Sequence, residues 1–195
     1  MNHDDNLRIF IAIPLPPDIS DYLSDIISSL KNQFPDDSIK WVRSENIHLT
    51  IKFLGNISVS KLAKLYENLD KPIQIEPFQL EISKIGAFPS IYKPRVVWVG
   101  LSECKSLYDL SLFLDEGTQF LEMENETSFS PHLTLARTRP GIKKENFEKL
   151  KELLAKNRII EPKSFIVNQF NVYQSTLTPS GPHYSILKIY KFHPK

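Results

Sequence analysis

The tripeptide His-Leu-Thr occurs twice in this chain, as His48-Leu49-Thr50 and as His132-Leu133-Thr134, each time inside a run with β-strand character. In an extended strand, side chains two apart point to the same face. Each copy therefore sets an imidazole and a hydroxyl side by side and turns its leucine to the other face. In the first strand His48, Thr50 and Lys52 share one face, while Leu49, Ile51 and Phe53 share the opposite one. In the second, His132 and Thr134 stand against Leu133 and Leu135. A face of His, Thr and Lys makes a poor core but a good cleft wall, and the apolar face is ready to receive a helix. Residues 41–55 and 125–139 each give a polar approach, the tripeptide and an apolar continuation, which suggests two similar lobes facing each other across a groove.

The rest of the chain fits that plan. Strand patterns cover residues 8–13, 47–54, 73–85, 95–101, 129–137, 164–175 and 183–192, with a short extended piece at 41–43. The first stops at Pro14, Pro16 and Pro17, and the second at Gly55. The run around Trp98 reads as buried on both faces. Helical spacing covers residues 18–30, opened by Asp18, then 58–69, 107–121 and 143–156. A Thr-Pro-Ser-Gly-Pro stretch, Thr178 to Pro182, predicts a hairpin between the last two strands. The expected fold is α+β: a single bilobal domain over residues 1–195, with two antiparallel or mixed sheets, outer helices related by a pseudo-twofold axis, and a central cleft between the lobes.

Composition narrows the chemistry. A chain of 195 residues can bury roughly 70% of the surface its unfolded form exposes and needs no covalent staples. Its one cysteine, Cys104, excludes an internal disulfide and is read as a packing residue. The start of the chain, residues 1–6, is polar and acidic rather than a secretory signal. No apolar run approaches the roughly 20 residues that cross a bilayer, and a cytoplasmic protein with no membrane partner is expected. The formal charge of +1 gives none of the broad positive field of a duplex binder. Nucleic-acid contact is expected to be local, at an end or a single nucleotide.

Two imidazoles brought together supply one group to deprotonate water and one to protonate a leaving oxygen, as hydrolysis of a phosphate ester requires. Thr50 and Thr134 are then placed to donate hydrogen bonds to the non-bridging oxygens. A zinc site normally takes a third protein ligand; His183 is the only candidate away from the termini, where His3 and His193 lie, and it has no metal-ligand spacing. No G-x-S-x-G elbow supports a serine nucleophile. We therefore expect neither a metal nor another cofactor.

Further residues carry a resemblance. Arg8-Ile9-Phe10-Ile11-Ala12-Ile13, Trp41-Val42, the run from His48 to Gly55, Gly86-Ala87-Phe88-Pro89, the run from Pro94 to Gly100, the run from Pro131 to Arg137 and Gly181-Pro182-His183-Tyr184 occur in order. Together they resemble the two-histidine phosphoesterase superfamily, in particular the RNA 2′,3′-cyclic phosphodiesterases of the LigT type, also called 2′-5′ RNA ligases. That resemblance implies a monomeric enzyme opening a terminal 2′,3′-cyclic phosphate of RNA, or of a small cyclic nucleotide, to a 2′-phosphate. It implies His48 as proton donor to the 3′ oxygen, His132 as the base that activates water, and Thr50 and Thr134 as phosphate ligands. Relatives acting on 2′-5′ linkages, and a non-catalytic module that binds RNA ends, are the competing readings.

The family also places a phosphate-contacting arginine at the position of Arg137. Strict alternation sends Arg137 to the leucine face, so a bulge near Ala136, or its place at the strand end, is needed to aim it inward. Arg8 is a candidate neighbour of the cleft, and Phe10, Trp41, Tyr173 and Tyr184 are candidate base-stacking aromatics.

Overall fold

The computed structural model describes residues 6–34, 36–122, 129–156, 159–179 and 181–193. The polar approach to the second motif at 125–128, the start of the chain with His3, and Ser180 of the hairpin turn lie outside the described residues. Among the described residues, nine strands form one sheet: β1 (Leu7–Pro14), β2 (Ile39–Trp41), β3 (His48–Ile57), β4 (Phe78–Ser90), β5 (Lys93–Leu101), β6 (His132–Thr138), β7 (Ile159–Val167), β8 (Gln169–Thr178) and β9 (Gly181–Lys191). The order is β7-β4-β5-β6-β3-β1-β8-β9, with β2 paired to β6. Every pairing is antiparallel.

The two expected sheets are thus the halves of one sheet, and the join lies between the motif strands. β3 and β6 pair at Leu49 and Leu133, the middle residues of the two tripeptides. Both leucines are fully buried. An antiparallel register through that pair puts His48 across from Thr134 and Thr50 across from His132. The four polar side chains therefore meet on one face, and the leucines meet on the other.

The chain order β1-α1-β3-α2 in one half matches β5-α3-β6-α4 in the other, where α1 is Pro17–Lys31, α2 Val59–Leu69, α3 Lys105–Thr118 and α4 Lys144–Lys156. The helices reach across the join. Tyr22 Oη of α1 donates to Glu161 O of β7 at 2.7 Å, and Lys52 Nζ of β3 donates to Asp115 Oδ1 of α3 at 2.7 Å. Each half is thus held by a helix that leaves the other half's sheet.

Local sequence explains the elements. Ile19, Leu23, Ile27 and Leu30 make the buried stripe of α1, at four- and three-residue spacing. Asp18 lies inside its first turn, while Pro16 and Pro17 fix the entry. Ser58 caps α2, its Oγ accepting from Lys61 N at 3.3 Å. Ile9, Ile11 and Ile13 of β1 join the main core, whereas Phe10 and Ala12, on the other face, pack with Tyr173 and Tyr184 in a smaller cluster.

Four sequence expectations are corrected. Gly55 does not end β3: its φ of 69° lets the strand bend and run on to Ile57. Residues 73–77 precede β4 and are not strand. Residues 164–175 belong to two strands interrupted at Asn168, a break that alternation does not reveal. On β5, Val97 and Val99 are fully buried, but Trp98 faces the other way and is half-buried. Its indole lies against Gly86, where a Cβ would stand 2.2 Å from Trp98 Cη2. Glycine is needed there for the two strands to close over the ring.

Because Leu133 has no exposed surface and sits on the join, Leu133→Ala should cost about 2–5 kcal/mol. Urea unfolding checks this: the midpoint should fall with the slope unchanged, and a loss under 1 kcal/mol would contradict the packing of the join.

Candidate active site

A cleft of about 390 Å³ opens over the motif strands and is lined by His48, Thr50, His132, Thr134 and Arg137 among others. All five residues singled out in the sequence are thus brought together. The two histidines are held in the same way: His48 Nδ1–H donates to Asn46 O at 2.8 Å, and His132 Nδ1–H donates to Ser130 O at 2.7 Å. A carbonyl can only accept, so in each neutral ring the proton sits on Nδ1 and Nε2 keeps its lone pair. Each ring is oriented by its own strand, through the carbonyl two residues back.

Arg137 reaches the cleft because β6 bulges. Val97 pairs with Ala136 and Trp98 with Thr134, so Leu135 is the extra residue. Leu135 and Ala136 are then both buried, and the alternation restarts one residue late with Arg137 on the cleft side. β3 carries the equivalent irregularity: Ala12 pairs with Thr50 and Ile11 with Lys52, leaving Ile51 extra. This overturns the expected faces of its later residues. Lys52 turns to α3 and the Asp115 carboxylate, and Phe53 enters the cleft wall, where Arg8 lies 4.7 Å from its ring centroid. Phe53, five residues after its histidine, stands where the other motif has Arg137.

The surroundings of the two imidazoles differ. His48 is enclosed by Phe10 at 4.8 Å, by Tyr184 edge-on at 5.1 Å and by Tyr173 at 6.3 Å. His132 meets Phe88 edge-on at 4.9 Å. Burial among these rings pushes the His48 pKa down to about 4, the hydrogen bond to Asn46 O opposing only part of that. His48 is therefore neutral in the empty cleft at neutral pH.

Of the candidate aromatics, Phe10, Trp41 and Tyr184 line the cleft. Tyr173 stands behind Phe10, stacked at 5.0 Å. His183 and His193 are exposed and are not among the residues that line the cleft. Cys104 is half-buried against the core, its thiol 3.8 Å from Gln79 O. Lys40, Arg43, Asn46 and Phe53 also line the cleft and were not anticipated. Among the described residues no carboxylate lines it, whereas Arg8, Lys40, Arg43 and Arg137 do, so an anion is the complementary ligand. Among the described residues, no three His, Cys, Asp or Glu side chains are grouped to hold a metal ion. No helix among the described residues is long and apolar enough to cross a membrane.

An antiparallel sheet that presents two His-x-Thr strands to one anion-binding cleft defines a two-histidine phosphoesterase. Comparison with known proteins agrees. The family described as LigT like Phosphoesterase matches residues 13–98, a span that holds the first motif. The RNA 2′,3′-cyclic phosphodiesterase of Methanocaldococcus jannaschii is 34% identical over 182 residues, 93% of this chain and 99% of that protein. The protein of the same name from Methanothermobacter thermautotrophicus is 33% identical, covering 95% and 98%. The crystal structure of Escherichia coli LigT complexed with 3′-AMP superposes with a TM-score of 0.74 at 25% identity, covering 97% of this chain and 99% of that one. The chain belongs to the LigT-like phosphoesterase family.

The low pKa of His48 predicts how stability depends on pH. The unfolded imidazole takes up a proton near 6.5 and the folded one near 4, so between these values the unfolded state binds more protons. Stability is full above pH 6.5 and falls by up to about 3 kcal/mol as pH drops to 4. His48→Gln should flatten this fall in urea titrations. An unchanged acid slope in the variant would show that other groups cause it.

Proposed function

We propose that this protein is an RNA 2′,3′-cyclic phosphodiesterase that opens a terminal cyclic phosphate to a 2′-phosphate by acid–base catalysis without a metal. The observation that carries the reading is the matched presentation of His48 and His132. Each ring is oriented by a backbone carbonyl, keeps Nε2 for the cleft, and has the threonine of the opposite motif across the strand pair. One imidazole takes a proton from water on one side of the phosphorus. The other gives a proton to the oxygen that leaves on the opposite side. Thr50, Thr134 and Arg137 donate to the non-bridging oxygens, where charge gathers in the transition state.

His48 is assigned as acid and His132 as base. Burial keeps His48 neutral at neutral pH, so the ring must take up a proton from solvent as the substrate binds. The negative charge of a bound phosphodiester favours the imidazolium and raises its pKa. An imidazole that is weakly basic by burial is a strong donor once charged. The names of the relatives, and the 3′-AMP held by the E. coli protein, support an RNA end as the substrate class.

The burial of His48 also favours a second reading, with its neutral ring as the base. Leaving-group chemistry separates the two. On an oligoribonucleotide 2′,3′-cyclic phosphate in EDTA, His48→Ala and His132→Ala should each lose about 10²–10⁴-fold in rate. On a p-nitrophenyl phosphodiester, whose leaving group departs unprotonated, His48→Ala should recover most of its loss and His132→Ala none. The opposite pattern would assign His48 as base, and loss of wild-type turnover in EDTA would contradict metal-free chemistry.

A further inference from the structure

Close to the site, the short strand β2 pairs with β6. It sets Lys40 directly across from Arg137 in the antiparallel register. Residues so paired share a face, and both side chains are exposed and line the cleft. Two like charges placed opposite one another repel, which costs stability unless an anion lies between or over them. Among the described residues, neither has a carboxylate partner and no carboxylate lines the cleft.

Neighbouring cations are already engaged. Arg43 Nη2 lies 2.5 Å from Glu45 Oε1, and Arg139 Nη2 lies 3.1 Å from Asp37 Oδ2. At the twofold-related end, Arg8 covers the ring of Phe53. Lys40 is the cation that β2 adds beside Arg137. It stands level with Arg137, three residues beyond Thr134, roughly 7–10 Å along the strand once the bulge is allowed for. That is about one nucleotide from the phosphate held by the motifs.

We propose that Lys40 binds the phosphate on the 5′ side of the terminal nucleotide, so that the RNA strand leaves the cleft over β2. This rests on the reading of the cleft as an RNA-end phosphodiesterase site and adds the direction of the strand. Two motifs related by a twofold axis would receive a phosphodiester equally well in either sense. Among the described residues, Lys40 with Arg137 makes the β2 end more strongly cationic than the end where Arg8 lies over Phe53. That difference favours one sense and makes Lys40 a determinant of preference for an RNA end over a mononucleotide.

The test compares kcat/KM for a tetraribonucleotide ending in a 2′,3′-cyclic phosphate with that for adenosine 2′,3′-cyclic phosphate. Lys40→Gln should lower this ratio about five- to tenfold, and Lys40→Arg should retain it. The log–log salt slope for the tetranucleotide should become shallower by about 0.7, the share of one phosphate contact on a single strand. An unchanged ratio in Lys40→Gln overturns the assignment. Anisotropy with the same oligonucleotide ending in a 3′-phosphate reads the contact without turnover: weaker binding by Lys40→Gln supports it, and equal binding overturns it. Turnover of the mononucleotide by the wild-type protein reports separately on the phosphodiesterase reading.

Discussion

The pairing of Leu49 with Leu133 is the contact on which the site depends. It is the register pair that joins β3 to β6. Because strand side chains alternate, that one pair determines where four others point. A shift of one residue in either strand would send the imidazoles into the core and the leucines into water. Burial of both leucines therefore does two things: it closes the halves of the sheet, and it brings two imidazoles to the same face of it. Helices that pass from one half to the other reinforce the join, through Tyr22 on Glu161 O and Asp115 on Lys52.

Symmetry supplies the site, and departures from symmetry make it usable. Two histidines in identical surroundings would titrate together, and neither would be acid or base in particular. The ring of aromatics around His48, against the single Phe88 beside His132, pushes the two environments apart. The paired bulges then put different residues at equivalent places. Phe53 offers a flat apolar surface where Arg137 offers a charge. β2 adds a further cation at the arginine end. An anion thus meets a cleft whose two ends differ: Arg8 over the Phe53 ring at one, Arg137 with Lys40 at the other.

Much of this was legible in the sequence because alternation is a strong rule over three residues. His48, Thr50, His132 and Thr134 lie within one alternation of a buried leucine and fell on the expected face. Beyond them the rule failed, and for one reason. A bulge in each strand inserted a residue that pairing across the sheet alone can reveal, so Lys52 and Phe53 exchanged faces. For Arg137 the need for a bulge could be stated but not its presence. Lys40 was missed because a three-residue strand has too little pattern to show whom it pairs with. Asn168 was missed because one residue suffices to break two strands whose polarity otherwise reads as continuous.

The central claim is that the two motifs act as one acid–base unit on one phosphate. Turnover of an oligoribonucleotide 2′,3′-cyclic phosphate in EDTA by His48→Ala, by His132→Ala and by the double variant tests it most directly. Groups that serve a single step are strongly non-additive. The account predicts a double variant no slower than the slower single one. Losses that multiply in the double variant, or a single variant that keeps its turnover, would contradict it.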